Sequence, residues 1–223
     1  MEYEVRYFFS NNSFGKLKKT LLSKYKFIFS AYELTIMYDN PNPILTFYSP
    51  EIDGRLRFRS SQVIADGVFG KPPSNTPQSS CLLTWKRRLP DGKKDSIRKE
   101  EEIEYEIAAK NAKSAKQILE EILQCPRISS YERIRHNFDS QFASITLDQF
   151  PYGLMLEFEA KPKTTEKQLL DEVASCKLDP EESSKMSCDD QYFSLCKRDG
   201  IKPKSDILFN DPTMPKLHCD RKR

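Results

Sequence analysis

Polar and apolar residues alternate through the opening of the chain. Glu2, Glu4 and Arg6 fall on every second position and Tyr3, Val5 and Tyr7 fill the gaps. That is the period of a β-strand with one charged and one apolar face. The pattern returns in Arg55-Leu56-Arg57-Phe58-Arg59, in Glu102-Ile103-Glu104-Tyr105-Glu106-Ile107, in Arg133-Ile134-Arg135 and in Leu156-Glu157-Phe158-Glu159. Five strands therefore each carry charge on one face.

Other stretches complete the set. Asn11-Asn12-Ser13 offers a helix N-cap, and Phe14, Leu17, Leu21 and Leu22 follow at helical spacing. Residues 27–38 are rich in β-formers, 39–43 break the run, and a short strand is expected over Ile44–Tyr48. Asp53-Gly54 signals a hairpin. Residues 60–80, with two Gly and three Pro, read as a loop, and 82–88 and 96–107 read as antiparallel partners turned at Pro90-Asp91-Gly92. An apolar stripe through Ala112, Ala115, Ile118, Leu119, Ile122 and Leu123 predicts a helix over 108–124, ended by Pro126. Strands are expected at 130–138, 142–148 and 154–159, and helices after Thr164-Thr165 and over 189–197, the latter beyond a polar linker at 179–188. The polar residues that follow read as a loosely held tail. The division expected is thus one domain over 1–198 and a tail over 199–223.

With 223 residues the chain can bury a core as one domain. A formal charge of +3 is too small for a non-specific duplex nucleic-acid binder. Six cysteines at 81, 125, 176, 188, 196 and 219 contain no C-x-x-C, and with two histidines they do not suggest zinc. There is no apolar run of about 18 residues to span a membrane. These features together give the expectation of a soluble cytoplasmic protein with free thiols. His136, next to Arg135, has no Ser or Cys partner in sight and reads as a hydrogen-bonded structural residue. Trp85 reads as packing rather than as a platform for a base.

The charged faces decide the architecture. The helices need an apolar sheet face, and each strand offers one. In a closed barrel of about eight strands the helices cover the outside and the charges point inward. Glu-x-Glu pairs are costly without a cation, and Arg-x-Arg pairs without an anion. A triphosphate bridged by a hard divalent metal satisfies both.

Glu2-x-Glu4-x-Arg6 resembles the Glu-x-Glu-x-Lys signature of the CYTH superfamily, the triphosphate tunnel metalloenzymes. Leu56-Arg57-Phe58-Arg59, Leu83-Thr84-Trp85-Lys86, the Glu-rich strand after Arg98, Arg133-x-Arg135, and Asp148 followed by Gly153-x-x-x-Glu157-x-Glu159 resemble its later motifs in order, over about residues 1–197. The resemblance implies an α+β fold: an eight-stranded antiparallel β-barrel, the triphosphate tunnel, with helices packed outside. It implies Mg²⁺ or Mn²⁺ held by Glu2, Glu4, Glu157 and Glu159. It implies phosphate held by Arg6, Arg57, Arg59, Lys86, Arg133 and Arg135, with Glu4, Arg6 and Lys86 at the chemistry. Glu102, Glu104, Glu106 and Asp148 are implied as a second metal site or as orienting groups. Arg in place of Lys at position 6 is a departure, because a planar fork that keeps its proton replaces a compact ammonium.

The function implied is a metal-dependent hydrolase of inorganic triphosphate, thiamine triphosphate, a nucleoside triphosphate or an RNA 5′-triphosphate end, acting as monomer or homodimer. A class IV adenylyl cyclase of the same superfamily is one alternative. A polyphosphate- or nucleotide-binding module without turnover is the other.

Overall fold

The structure is a computed structural model and describes residues 2–42, 44–47, 54–64, 80–88 and 98–218. The strands are β1 (Glu2–Phe9), β2 (Lys26–Tyr38), β3 (Gly54–Ile64), β4 (Ser80–Arg88), β5 (Arg98–Ile107), β6 (Arg127–Asp139), β7 (Ala143–Phe150), β8 (Gly153–Ala160) and the short β9 (Asp206–Ile207). The α-helices are α1 (Phe14–Lys24), α2 (Ala112–Gln117), α3 (Glu166–Ser175) and α4 (Cys188–Asp199). β1 to β8 pair antiparallel in the order β2-β3-β4-β5-β1-β8-β7-β6, and β6 returns to β2 along a twelve-pair register. The sheet is therefore curled onto itself, with α-helices on its outer face, as the alternation predicts.

The outward positions are the apolar ones. Val5, Tyr7, Ile145, Leu147, Leu156 and Phe158 pack under Leu21 of α1 and Leu169 and Val173 of α3. Ile36, Tyr38, Phe58 and Ile107 pack under Ala112 and Leu119. Each such buried Leu, Val or Phe contributes about 1.5–3 kcal/mol, far more than a surface ion pair. This gain fixes which face turns out and leaves the charges to face one another inside. Helix starts follow the cap chemistry: Thr165 and Ser187 each form a capping box, with Gln168 and Asp190 respectively.

Several expectations need correction. Residues 44–47 form a turn instead of a strand. The Asp39 carboxylate accepts from Phe47 N (2.7 Å) and Thr46 Oγ1 (2.8 Å), and Asn42 Oδ1 accepts from Ile44 N (3.0 Å). Asx side chains there take the groups a ladder would need. β3 runs on to Ile64 and β4 begins at Ser80, so the loop is shorter than 60–80; its centre, 65–79, lies outside the described residues. Tyr48, Asp53 and the 90–92 turn lie outside them too. The helix expected over 108–124 is a 3-10 turn, α2 and a π turn over Ile118–Ile122 in succession. The described part of the polar tail is docked: β9 pairs with Ser130 and Tyr131, and Ile207, Met214 and Leu217 join a cluster with Tyr152 and Tyr192. Its few apolar residues are spaced to reach that cluster, which composition alone does not reveal.

His136 lies on the outer face beneath Phe14 of α1, fully buried. The Gln149 amide donates to Nε2 (2.5 Å), which leaves Nδ1–H to donate to Ser30 Oγ (2.7 Å). Burial, then Lys18, push its pKa down to about 4. The unfolded chain takes up this proton below pH ~6.5, and the fold resists it to about 4. Stability is therefore expected to fall by roughly 3 kcal/mol as pH drops through that window. Urea midpoints measured against pH should show this slope, and His136→Gln should flatten it; an unchanged slope in the variant would assign it elsewhere.

Candidate functional site

The inward faces enclose a cavity of about 260 Å³. Its basic residues are Arg6, Arg55, Arg57, Arg59, Lys86, Arg133 and Arg135, and its acids include Glu100, Glu102, Glu104, Glu157, Glu159 and Asp189. One end is closed. Ser187, Cys188 and Asp189, at the start of α4, line the cavity beside Tyr131 and Met155, and behind them Tyr192 and Leu195 pack onto Met37, Tyr131 and Met155. Glu104 lines the cavity yet is exposed, which sets the open end on its side.

β1 and β8 supply one wall. Their register places Glu4 opposite Glu159 and Arg6 opposite Glu157. Arg6 Nε donates to Glu157 Oε2 (2.7 Å), Nη2 donates to Glu4 Oε1 (2.8 Å) and also pairs with Glu157, and Nη1 donates to the Met186 carbonyl (3.1 Å). Burial alone would raise the Glu157 carboxyl, but Arg6, then Arg135 and Lys86, hold it well below the carboxylate range. Glu159 has the opposite fate: burial and the neighbouring Glu157 lift it to about 7.

The opposite wall is crowded with cations. Arg135 grips Asp148 with two parallel bonds of 2.7 Å, and Arg133 donates to Asp148 (3.0 Å) and to Glu33 (2.6 Å). Arg133, Arg59 and Arg135 outweigh burial and hold Glu33 at about 2. Arg59 is left at the edge of this network, 3.9 Å from Glu33. Burial, then Arg133, push its pKa down to about 10. Among the described residues the Nε–H groups of Arg57 and Arg59 are buried with no acceptor at hydrogen-bond distance, the Glu33 carboxylate being 3.9 Å from Arg59 Nε. Buried donors of this kind are costly, and an anion in the cavity would satisfy them. Lys86 bridges Glu100 (2.5 Å) and Glu102 (3.0 Å), and Glu102 also reaches Arg57 (3.2 Å).

The fold thus brings Glu4, Arg6, Arg57, Arg59, Lys86, Glu102, Glu104, Arg133, Arg135, Asp148, Glu157 and Glu159 to one interior. Glu106 is exposed and does not line the cavity, and the Glu2 side chain lies outside the described residues. Asp148 is committed to two arginines. Trp85 sits on the outer face beneath Arg87, with no route into the cavity. Sequence reasoning missed Glu33, Arg55, Glu100 and Asp189. Arg55 and Glu100 share the alternation of Arg57 and Glu102 and were legible from it; Glu33 is a lone acid in an apolar strand, and Asp189 is brought in by a helix from far along the chain.

A hard divalent cation fits the acid wall in one manner. Among the described residues no three His, Cys, Asp or Glu side chains gather to hold an ion. Glu4 and Glu159 nevertheless face each other in register, and burial, then Glu157, lift the Glu159 carboxyl, a penalty that a bound cation would relieve. Mg²⁺ commonly binds through one or two carboxylates together with substrate phosphates, and two carboxylates suffice for that.

The chain resembles solved structures. It matches the PH1819 protein from Pyrococcus horikoshii OT3 at a TM-score of 0.60 and 18% identity, covering 87% of this chain and 99% of that one. It matches a candidate adenylate cyclase from Vibrio parahaemolyticus at 0.57 and 18%, covering 84% and 95%. It matches HpAC1 from Hippeastrum, a candidate adenylyl cyclase whose structure is described with a dominant triphosphatase activity, at 0.55 and 16%, covering 91% and 98%. No family model matches the sequence, and no curated protein matches it. The chain shares the fold of these proteins, a curled antiparallel sheet with helices packed along its outer face. Among the described residues no helix is long and apolar enough to cross a membrane.

Proposed function

We propose that the chain is a metal-dependent hydrolase of a triphosphate-containing substrate, bound in the charged interior of the barrel. The observation that carries this reading is the pair of buried Nε–H donors on Arg57 and Arg59 that, among the described residues, have no hydrogen-bond acceptor, in a wall where cations crowd one another. The HpAC1 likeness supports the same chemistry. Inorganic triphosphate, thiamine triphosphate, a nucleoside triphosphate and an RNA 5′-triphosphate end are the substrates it covers. The cavity is smaller than the roughly 300–1,000 Å³ of sites for drug-sized ligands, so it suits the phosphates, with any organic part toward the open end.

Arg57, Arg59, Arg133, Arg135 and Lys86 hold phosphate oxygens and stabilise the charge that builds on them as water attacks the terminal phosphorus. The bond from that phosphorus to its bridging oxygen breaks, and orthophosphate leaves. Glu4 and Glu159 would hold Mg²⁺ or Mn²⁺. Bound there, the cation supplies charge neutralisation between the acid wall and the substrate. Glu157 keeps Arg6 in place, and Asp148 keeps Arg133 and Arg135 pointed inward.

One observation favours a binding module without turnover: Arg6 spends all three nitrogens on Glu4, Glu157 and Met186. Phosphorus NMR after incubation with ATP and with inorganic triphosphate, in Mg²⁺ and then Mn²⁺, separates the readings. Orthophosphate from either substrate is the expected product. Pyrophosphate with cyclic AMP would replace the hydrolase by a cyclase, and saturable shifts without turnover would replace it by the binding module.

A further inference from the structure

The floor of the tunnel is reached through a short stretch that crosses β1. Among the described residues, β5 pairs with β1 at Glu2, Tyr3 and Glu4. Farther along the same strand, Ser184 N–H donates to the Arg6 carbonyl (2.7 Å). The Arg6 side chain holds the stretch a second time, through Nη1 and the Met186 carbonyl (3.1 Å). Its remaining nitrogens go to Glu157 and Glu4. One guanidinium thus ties the acid wall to the backbone that leads into Ser187, Cys188 and Asp189.

Behind this stretch lies a second cavity, of about 700 Å³, lined by Ser184 and Met186 together with Tyr7, Leu17, Leu178 and Leu217. Ser184 and Met186 therefore form a partition between Arg6 and this second space, whose wall also carries Lys16, Lys24 and Glu182. A segment with a cavity behind it has fewer packing contacts than a core segment, and depends more on its hydrogen bonds.

We propose that Arg6 is a latch: a positioning residue that holds this partition, and with it the floor at the start of α4, in a manner linked to what fills the tunnel. The geometry explains the residue type. A planar fork reaches two carboxylates and a carbonyl in different directions, whereas a lysine ammonium is a compact point charge that cannot span all three. The latch rests on the tunnel reading only for the identity of the ligand that works it. A triphosphate draws Arg6 toward its own oxygens, and so competes with Met186 for the same group. Filling the tunnel and loosening the partition are then two sides of one equilibrium.

The test is hydrogen exchange on the ligand-free protein, comparing wild type, Arg6→Lys and Ser184→Pro. The second variant removes the Ser184 N–H donor, and with it the Oγ that accepts from Met186 N–H (3.3 Å), and leaves the Arg6 side-chain contacts alone; Ser183 already has the extended backbone (φ −62°, ψ 149°) that a following proline requires. Amides of residues 187–190, none of which bonds to Ser184, are expected to exchange at least tenfold faster in both variants, with β7 unchanged as internal control. Wild-type rates in both would overturn the latch. If Arg6→Lys also loses protection in β7, it has lost the fold, and Arg6→Gln, which keeps one donor for the Met186 carbonyl but cannot reach all three partners, takes its place: faster exchange supports the latch and wild-type rates overturn it.

Inorganic triphosphate is then added to the wild type, with binding followed by calorimetry. Bound triphosphate that speeds exchange in 184–190 at least threefold supports the linkage; bound triphosphate without that change overturns it. No heat of binding would remove the triphosphate reading and the linked release, while the ligand-free comparison still judges the latch.

Discussion

Glu157→Gln is expected to lower triphosphate turnover by at least about 100-fold while leaving binding of inorganic triphosphate within roughly tenfold of wild type. Glu157 is buried, takes both Nε and Nη2 of Arg6, and lies two residues from Glu159 on the same face of β8. Gln keeps the shape and one acceptor, so Arg6 need not abandon the wall, but it removes the charge that fixes the guanidinium. Arg6 is then drawn toward Glu4, and Glu159 loses the neighbour that lifts its pKa. The phosphate cage on the opposite wall is untouched, which is why affinity survives. Orthophosphate release and calorimetric Kd, measured on the same preparation, check the split. Loss of binding in step with turnover would show that Glu157 supports the phosphate site itself. Unchanged turnover would place the chemistry elsewhere.

Arg59→Gln is expected to do two things at once: weaken inorganic triphosphate by about 10- to 100-fold and leave the ligand-free fold as stable as wild type, or more stable by about 1 kcal/mol. The affinity loss follows from removing one charge-assisted partner of the phosphates. The stability gain follows from relief. Arg59 is buried among Arg133, Arg57 and Arg135, its ion pair with Glu33 is long at 3.9 Å, and that carboxylate is already committed to Arg133. A cation held there without an anion is a cost borne for binding. Urea midpoints without ligand, together with Kd, test both halves. A loss of more than 1 kcal/mol would mean that Arg59 is a structural ion-pair member; unchanged Kd would remove it from the phosphate cage.

These two variants probe groups that differ in how openly the chain displays them. Arg57 and Arg59 stand in an unbroken alternation, and a period-two pattern tells which side chains share a face. The same pattern placed Glu4 with Arg6, Arg133 with Arg135 and Glu157 with Glu159. Since one face of each strand must be buried under helices whose apolar stripes are equally plain, the inward turn of the charges followed as well. The strand expected over 44–47 failed because Asp39 and Asn42 capture the backbone there, a local choice that apolar composition hides.

What the chain determined by itself is thus the strand faces, the helices that cover the sheet, and the collection of charges that must meet inside. What only the tertiary structure decided is how those charges are shared out. Asp148 became the anchor of two arginines, Glu33 joined the cation wall, Glu106 stayed in solvent, and Arg6 was divided between two acids and a carbonyl 180 residues away. The closed floor is of the same kind, since α4 and the docked C-terminal stretch reach the barrel through contacts distant in sequence. Periodicity is a local property set by backbone geometry, whereas partner choice among buried ions depends on register, shear and distance across the barrel, which no single strand encodes.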